Sequence, residues 1–300
     1  MKKKIIVIGS SNTDLVARSN RLPRAGETII GSQFFQNQGG KGANQAVACA
    51  KLGGETTFIA CVGKDDFGKV AKESYKKVGI NTDYISSSDQ PTGVAMINVD
   101  DHGENCIVVV PGANNDLDIN RIDKVSHLFS KDTIVLLQLE VPIKTIEHSI
   151  EVAHQKGAMV IVNPAPAQAL SDEVLSKVNY ITPNETELTL LTGVEINNEE
   201  GLKEAVEKLH QKGIENVIVT LGSKGCYVSS KELKGYYEAQ KVKAVDTTAA
   251  GDVFNGAFTA HLAENYPLSA CIEFGTRAAT FSVTKAGAQA SIPSLEELNN

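Results

Sequence analysis

Residues Asp246-Thr247-Thr248-Ala249-Ala250-Gly251-Asp252, running into the helix-like stretch Val253-Phe254-Asn255-Gly256-Ala257-Phe258, join small residues to an acid at a helix start. Small residues leading into a helix leave several backbone N–H groups unpaired and aimed outward, which makes an anion site. Asp252 falls in the first turn, where an acid that merely compensates the helix dipole is the plain alternative. A carboxylate beside a phosphate-binding turn is costly unless it has a task, such as accepting a proton from an attacking hydroxyl. A second run, Gln38-Gly39-Gly40-Lys41-Gly42-Ala43-Asn44-Gln45-Ala46, lets the backbone approach a ligand closely, and Lys41 and Asn44 supply donors suited to hydroxyl oxygens. It is not a P-loop, because Gly40-Lys41 is followed by Gly42 and position 35 is Phe35. Taken alone, a tight turn before a helix accounts for it equally well.

Other polar groups fall at the ends of expected strands. Asn12 and Asp14 lie just past the first strand as an amide and carboxylate able to grip vicinal hydroxyls, or as turn and cap residues. Glu140 follows the strand 134–137 and precedes Pro142; a solvated loop glutamate is the alternative. Asn184 and Glu187, in Pro183-Asn184-Glu185-Thr186-Glu187, have the spacing of a capping box, or stand near Mg²⁺-bound phosphates through water. Thr220-Leu221-Gly222-Ser223-Lys224-Gly225 either covers a nucleotide or turns a hairpin into Cys226-Tyr227-Val228. Histidines 102, 127, 148, 154, 210 and 261 lack ligand spacing, read as surface or helix-face residues, and are assigned no metal.

The elements that must position these groups alternate. Short apolar runs at 134–137, 159–162, 180–182 and 217–220 are separated by helical patterns such as 142–155 and 199–211, and runs 5–8 and 57–61 extend the same sheet. This predicts an α/β fold, three layers around a largely parallel sheet. Two segments carry strands without helices. In 13–38, Thr28-Ile29-Ile30 and Gln33-Phe34-Phe35 read as short strands; in 92–110, runs 94–99 and 106–110 flank the turn Asp100-Asp101-His102-Gly103. The expectation is one α/β domain from 1–12, 39–91 and 111–300, with 13–38 and 92–110 forming a β-sheet lid. Such a lid beside the strands' carboxyl ends would exclude water from phosphoryl transfer.

Over 300 residues the formal net charge is −7, which disfavours a nucleic-acid partner. The apolar run after Lys2-Lys3-Lys4 is too short for an export signal, and no run is long enough to span a bilayer, so a cytoplasmic location is expected. Cys49, Cys61, Cys106, Cys226 and Cys271 form no CxxC pair and read as buried, reduced thiols. A dinucleotide-binding oxidoreductase ranks low, since Gly9-Ser10-Ser11-Asn12 stands where GxGxxG would follow the first strand.

Together, Gly9-Ser10-Ser11-Asn12-Thr13-Asp14, the Gly39–Ala46 run, Pro183–Glu187 and Asp246–Asp252 resemble, in order and over nearly the whole chain, the ribokinase branch of the sugar and nucleoside kinases called the PfkB family. The resemblance implies ATP-dependent phosphorylation of D-ribose at its 5-hydroxyl, with a related sugar or nucleoside (deoxyribose, fructose, adenosine) or a catalytically silent sugar-binding protein as alternatives. It puts Asn12, Asp14, Gly40, Lys41, Asn44 and Glu140 around the sugar and makes Asp252 the base, with the N–H groups of Ala249, Ala250 and Gly251 stabilising phosphoryl charge. It places Asn184, Thr220, Gly222, Gly225, Gly251 and Thr276 near ATP, with Glu187 affecting Mg²⁺. It also implies potassium held by Asp246, Thr248, Ser282, Lys285, Gly287 and Ser291, several through main-chain carbonyls, and a homodimer through the lids. Thr276-Arg277 departs from the Asn-Ala that this branch often carries near adenine.

Overall fold

The computed structural model describes residues 2–299. In chain order the strands are β1 (Lys4–Ile8), β2 (Asn12–Arg18), β3 (Gln33–Gly39), β4 (Thr56–Gly63), β5 (Ile85–Ser88), β6 (Gly93–Val99), β7 (Asn105–Val110) and β8 (Thr133–Leu137). They continue as β9 (Met159–Val162), β10 (Tyr180–Ile181), β11 (Asn216–Thr220), β12 (Cys226–Ser229) and β13 (Lys234–Tyr237). Nine of them form one sheet, ordered β13-β12-β11-β10-β9-β8-β1-β4-β5, parallel except where β12 pairs with β11 and β13.

β1 shows why its run is continuously apolar. Ile5 and Val7 point into the core under helices Lys41–Lys51, Asp66–Lys77, Ala250–Ala263 and Leu268–Ser282. Ile6 and Ile8 point into the opposite core, under Ile119–Val125, Ile143–Gln155 and Glu199–Gln211. With helices on both faces, alternation has no solvent side to address, so every position is apolar.

From β1 the chain builds toward β4 and β5, then crosses back to lay β8 on the other side of β1. The carboxyl ends of β1 and β8 therefore flank a topological switch point, where open α/β sheets bind ligands.

The remaining four strands form a separate sheet, ordered β3-β2-β6-β7. The turn 100–104 joins β6 to β7, closed by Asp100 N–H to Glu104 O at 3.0 Å. Two expectations are corrected here. Thr28-Ile29-Ile30 is not a strand: Ile30 is 88% exposed, and its segment lies in the long connection between β2 and β3, without a ladder partner. Asn12 and Asp14 lie inside β2 rather than in a loop, because the chain turns over only Gly9–Ser11 before pairing again with β3 and β6. A third concerns the thiols. Four cysteines are buried, but Cys106 is exposed, since all of β7 is open to solvent. Among the described residues, no helix is long and apolar enough to cross a membrane.

Candidate active site

Asp252 sits at the start of the helix Ala250–Ala263, whose preceding residue, Ala249, adopts a left-handed conformation (φ 62°). For a residue with a Cβ this costs about 1–2 kcal/mol, a strain that surrounding structure must hold. The Ala250 N–H reaches Thr247 O at 3.3 Å; those of Ala249, Gly251 and Asp252 find no protein acceptor among the described residues. They line a cleft of about 200 Å³ together with Lys41, Asn163, Asn184, Glu187, Thr220 and Thr247.

The Asp252 carboxylate is buried, and each oxygen receives one side-chain N–H: Oδ2 from Asn44 Nδ2 at 2.9 Å and Oδ1 from Gln45 Nε2 at 2.9 Å. Both donors stand on the helix Lys41–Lys51, which the glycine-rich run starts. Gly40 precedes that helix at φ +87°, and a Cβ there would lie 2.8 Å from the Asn12 nitrogen, so the tight turn admits only glycine. Behind Gln45 stands a chain of buried amides. Gln138 Nε2 donates to Gln45 Oε1 at 2.6 Å, and Gln45 Nε2 also reaches Asn163 Oδ1 at 3.0 Å. Asn163 Nδ2 donates to Thr182 O, Thr182 Oγ1 to Asn255 Oδ1, and Asn255 Nδ2 to Gly251 O, tying the sheet's edge to the turn before Asp252.

Burial pushes the Asp252 carboxyl above its ordinary range, while the Lys41 ammonium and the Asn44 and Gln45 N–H groups pull it back. Burial opposes the charge on Lys41, yet Asp252, Glu140 and Glu187 together hold its pKa above the usual value. Glu140 accepts from Ser10 Oγ at 2.6 Å and from the Lys41 N–H at 2.9 Å, fastening the ends of β8 and β1 to the glycine-rich run. Burial, and then the charge on Glu140, raise Asp14 to about 7. Among the described residues, the buried Asn44 Oδ1 has no hydrogen-bond partner.

On the opposite flank, Asn184 and Glu187 form the reciprocal capping box that their spacing predicts. Glu187 N–H donates to Asn184 Oδ1 at 2.8 Å, and Asn184 N–H to Glu187 Oε2 at 2.8 Å. Thr220 reaches the same cleft, and β11 and β12 pair antiparallel across the Gly222–Lys224 turn, the hairpin alternative. Neither Gly222, Gly225 and Thr276 nor the sugar candidates Asn12, Asp14, Gly40, Asn44 and Glu140 line the cleft; Thr276 is packed with its Oγ1 4.0 Å from Cys226 Sγ.

Asp246 Oδ1 accepts the Thr248 N–H and Oδ2 the Gly287 N–H, each at 2.9 Å, drawing two segments of the expected cation loop together. Those bonds and Arg18 outweigh burial and lower its pKa. Ser282 and Ser291 hydroxyls donate to Ala279 O and Ala288 O. The Lys285 ammonium is turned onto Glu297 at 2.6 Å and over the Phe281 ring, leaving only its main chain for the loop.

Gln45, Gln138, Asn163, Thr182 and Asn255 were not among the candidates from sequence. The one signal that could have found three of them is position: Gln138, Asn163 and Thr182 immediately follow β8, β9 and β10, at the sheet's carboxyl edge.

Residues 2–295 match the pfkB family carbohydrate kinase model. A ribokinase from Haemophilus influenzae is 44% identical over 99% of this chain and 97% of its own length. A deoxyribokinase from Salmonella typhimurium is 38% identical, over 98% of this chain and 97% of its own. The structure of an Arabidopsis thaliana ribokinase complexed with ribose and ATP superposes with a TM-score of 0.89 at 33% identity, covering 100% of this chain and 98% of that one. A buried carboxylate in the first turn of a helix, lining a cleft with Lys41 and polar side chains, thus meets a family match over almost the full length: the chain belongs to the pfkB family of carbohydrate kinases.

Proposed function

We infer that this chain transfers the γ-phosphoryl group of ATP to the 5-hydroxyl of D-ribose, with Asp252 as the base. The observation that carries the reading is the setting of Asp252. It is a buried carboxylate held on both oxygens, beside Lys41, and adjacent to N–H groups without protein acceptors. Asp252 takes the proton of the primary hydroxyl while that oxygen bonds to the γ-phosphorus; the bond to the bridging oxygen breaks, and ADP leaves with its electron pair. N–H groups of Ala249, Ala250 and Gly251 meet charge on the transferring oxygens, and Lys41 offsets the crowding of carboxylate and phosphate. Asn12, Asp14, Gly40, Lys41, Asn44 and Glu140 hold the sugar, and the unpartnered Asn44 Oδ1 suits a ligand hydroxyl. Asn184, Thr220 and Gly251, which line the cleft, take the nucleotide, and the reading extends it over Gly222, Gly225 and Thr276 beyond the cleft.

The donor sets fit two cations. Glu187 and Asp252 line the cleft beside Lys41, whose charge they and Glu140 hold. Glu187, fixed by its capping box, would face Mg²⁺ through water. Asp246, Thr248, Ser282, Lys285, Gly287 and Ser291, several through main-chain carbonyls, would suit potassium, since Lys285 holds its own charge away on Glu297. Bound there, such ions would neutralise phosphate charge.

The same reading includes a cytoplasmic location, no nucleic-acid partner, and the lid boundaries 13–38 and 92–110. It also includes a homodimer through the lids, whose face opposite Asp14 bears Phe34 (66% exposed), Met96 and Val108. The Salmonella deoxyribokinase supports a second acceptor, 2-deoxyribose. ADP release measured with ribose, deoxyribose, fructose and adenosine decides. Ribose is expected to have the highest kcat/KM, and fastest turnover of another acceptor overturns the assignment.

A further inference from the structure

The sugar-side amide Asn12 is itself held by a residue outside the acceptor pocket. After β7 the chain re-enters the body through Pro111 and a short turn, Gly112–Asp116, that buries Asn114. Asn114 Oδ1 accepts the Ser11 main-chain N–H at 2.9 Å. A backbone N–H can only donate, so the Asn114 atom facing it must be the oxygen, and the other end of the amide is Nδ2. That Nδ2 donates to Asn12 Oδ1 at 2.7 Å and to Ser11 O at 3.3 Å. An NH₂ also only donates, so the Asn12 atom facing it must be the oxygen. The orientation of Asn12 is therefore dictated in two steps from a fixed backbone donor. Among the described residues its Nδ2 has no protein partner, and Asn12 shares a face of β2 with Asp14.

The surroundings are built around this amide pair. A Cβ on Gly93, which pairs with Asn12 across β2 and β6, would lie 2.3 Å from both Asn114 Nδ2 and Asn12 Oδ1. Ser11 Oγ, on the residue whose N–H starts the chain, is held at 2.7 Å by the hydroxyl of the fully buried Tyr75.

We propose that Asn114 is a positioning residue for the sugar. By occupying Asn12 Oδ1, it makes Asn12 present only a donor to the acceptor hydroxyls, beside Asp14, which presents only acceptors when ionised. A diol with one oxygen to receive a hydrogen bond and one proton to give matches that pair; two acceptors side by side would compete for hydroxyl protons. The proposal rests on the reading of Asn12 as a sugar ligand.

The test is steady-state kinetics of Asn114→Asp and Asn114→Ser, alone and with Asn12→Ala. Asn114→Asp keeps the acceptor for the Ser11 N–H but turns a second oxygen toward Asn12, so Asn12 must flip. Asn114→Ser removes Nδ2 without adding bulk, and removes with it the Oδ1 that accepts the Ser11 N–H. Each is expected to raise the ribose KM about tenfold, the loss of roughly one hydrogen bond, while the ATP KM and kcat stay within about threefold. In the Asn12→Ala background neither should raise the ribose KM further. A purely structural role would instead lower kcat and raise both KM values, and would add to Asn12→Ala; that pattern overturns the proposal. If Asn12→Ala raises the ribose KM and both Asn114 variants leave it unchanged, the proposal alone falls. If Asn12→Ala itself leaves it unchanged, the sugar-ligand reading of Asn12 falls with it.

Discussion

Replacing Gln45 by methionine removes the N–H that Asp252 Oδ1 receives at 2.9 Å, while leaving the Asn44 bond to Oδ2 in place. A hydrogen bond to a buried charged acceptor contributes about 1.5–3 kcal/mol, so its loss raises the carboxyl pKa by about 1–2 units. Burial already pushes Asp252 up, so its proton comes off only at higher pH in the variant. The charged groups around it, Lys41, Glu140 and Glu187, are not replaced. As a base, Asp252 works only when ionised, so the acid limb of kcat should move upward by about 1–2 pH units. Below the limb the rate falls about 10–100-fold, and above it the rate recovers, since a stronger base is no worse a proton acceptor. The assay is ADP release at saturating ribose and ATP from about pH 5 to 9, which reports the bound complex. Gln45→Glu is the second variant; it keeps the acceptor for Gln138 Nε2 but puts an acid beside Asp252, and should shift the limb the same way. A uniform loss of kcat at every pH, with the limb unmoved in both variants, would mean that Gln45 only packs, and the assignment of Asp252 as the titrating base would lose its support.

Further outcomes follow from single groups. Asp14 is raised to about 7, so in the apo protein its relative stabilisation, present below the ordinary 3.8, is lost as pH rises toward 7. Asp14→Asn should therefore raise the melting temperature at pH 8 more than at pH 5 while weakening ribose binding; equal shifts at both pH values refute the burial of this charge. Val108→Lys places a charge on the lid's apolar outer face and should give a monomer by light scattering, whereas an unchanged dimer would exclude that face as the interface.

The sheet was legible because β1, β8 and β9 are apolar on both faces, and a short unbroken run has few other places to go. The helix start at Ala250 was legible because small residues and an acid beside it are local in the chain. The expected Thr28-Ile29-Ile30 strand failed for a related reason: three β-prone residues do not make a strand without a ladder partner, and β2 pairs instead with β3 and β6. Gln45, Gln138 and Asn163 escaped notice because an amide carries no period or charge, and its meaning lies in the partner. Gln45 meets Asp252 across 207 residues, Asn163 across 118 and Gln138 across 93. Asn114 likewise meets Asn12 only because β7 returns to the start of β6, which pairs with Asn12 at Gly93. Exposed Cys106 was misjudged because an apolar run in a lid strand looks like one in a core.

The most direct test of the account is Asp252→Asn, which keeps the shape of the side chain and removes the base. Ribose affinity by calorimetry should remain within about threefold, with turnover of ribose and ATP down roughly 10²–10⁴-fold across the pH range. Turnover within about threefold of the native rate would contradict Asp252 as the base, and with it the mechanism derived from its two hydrogen bonds and the neighbouring turn.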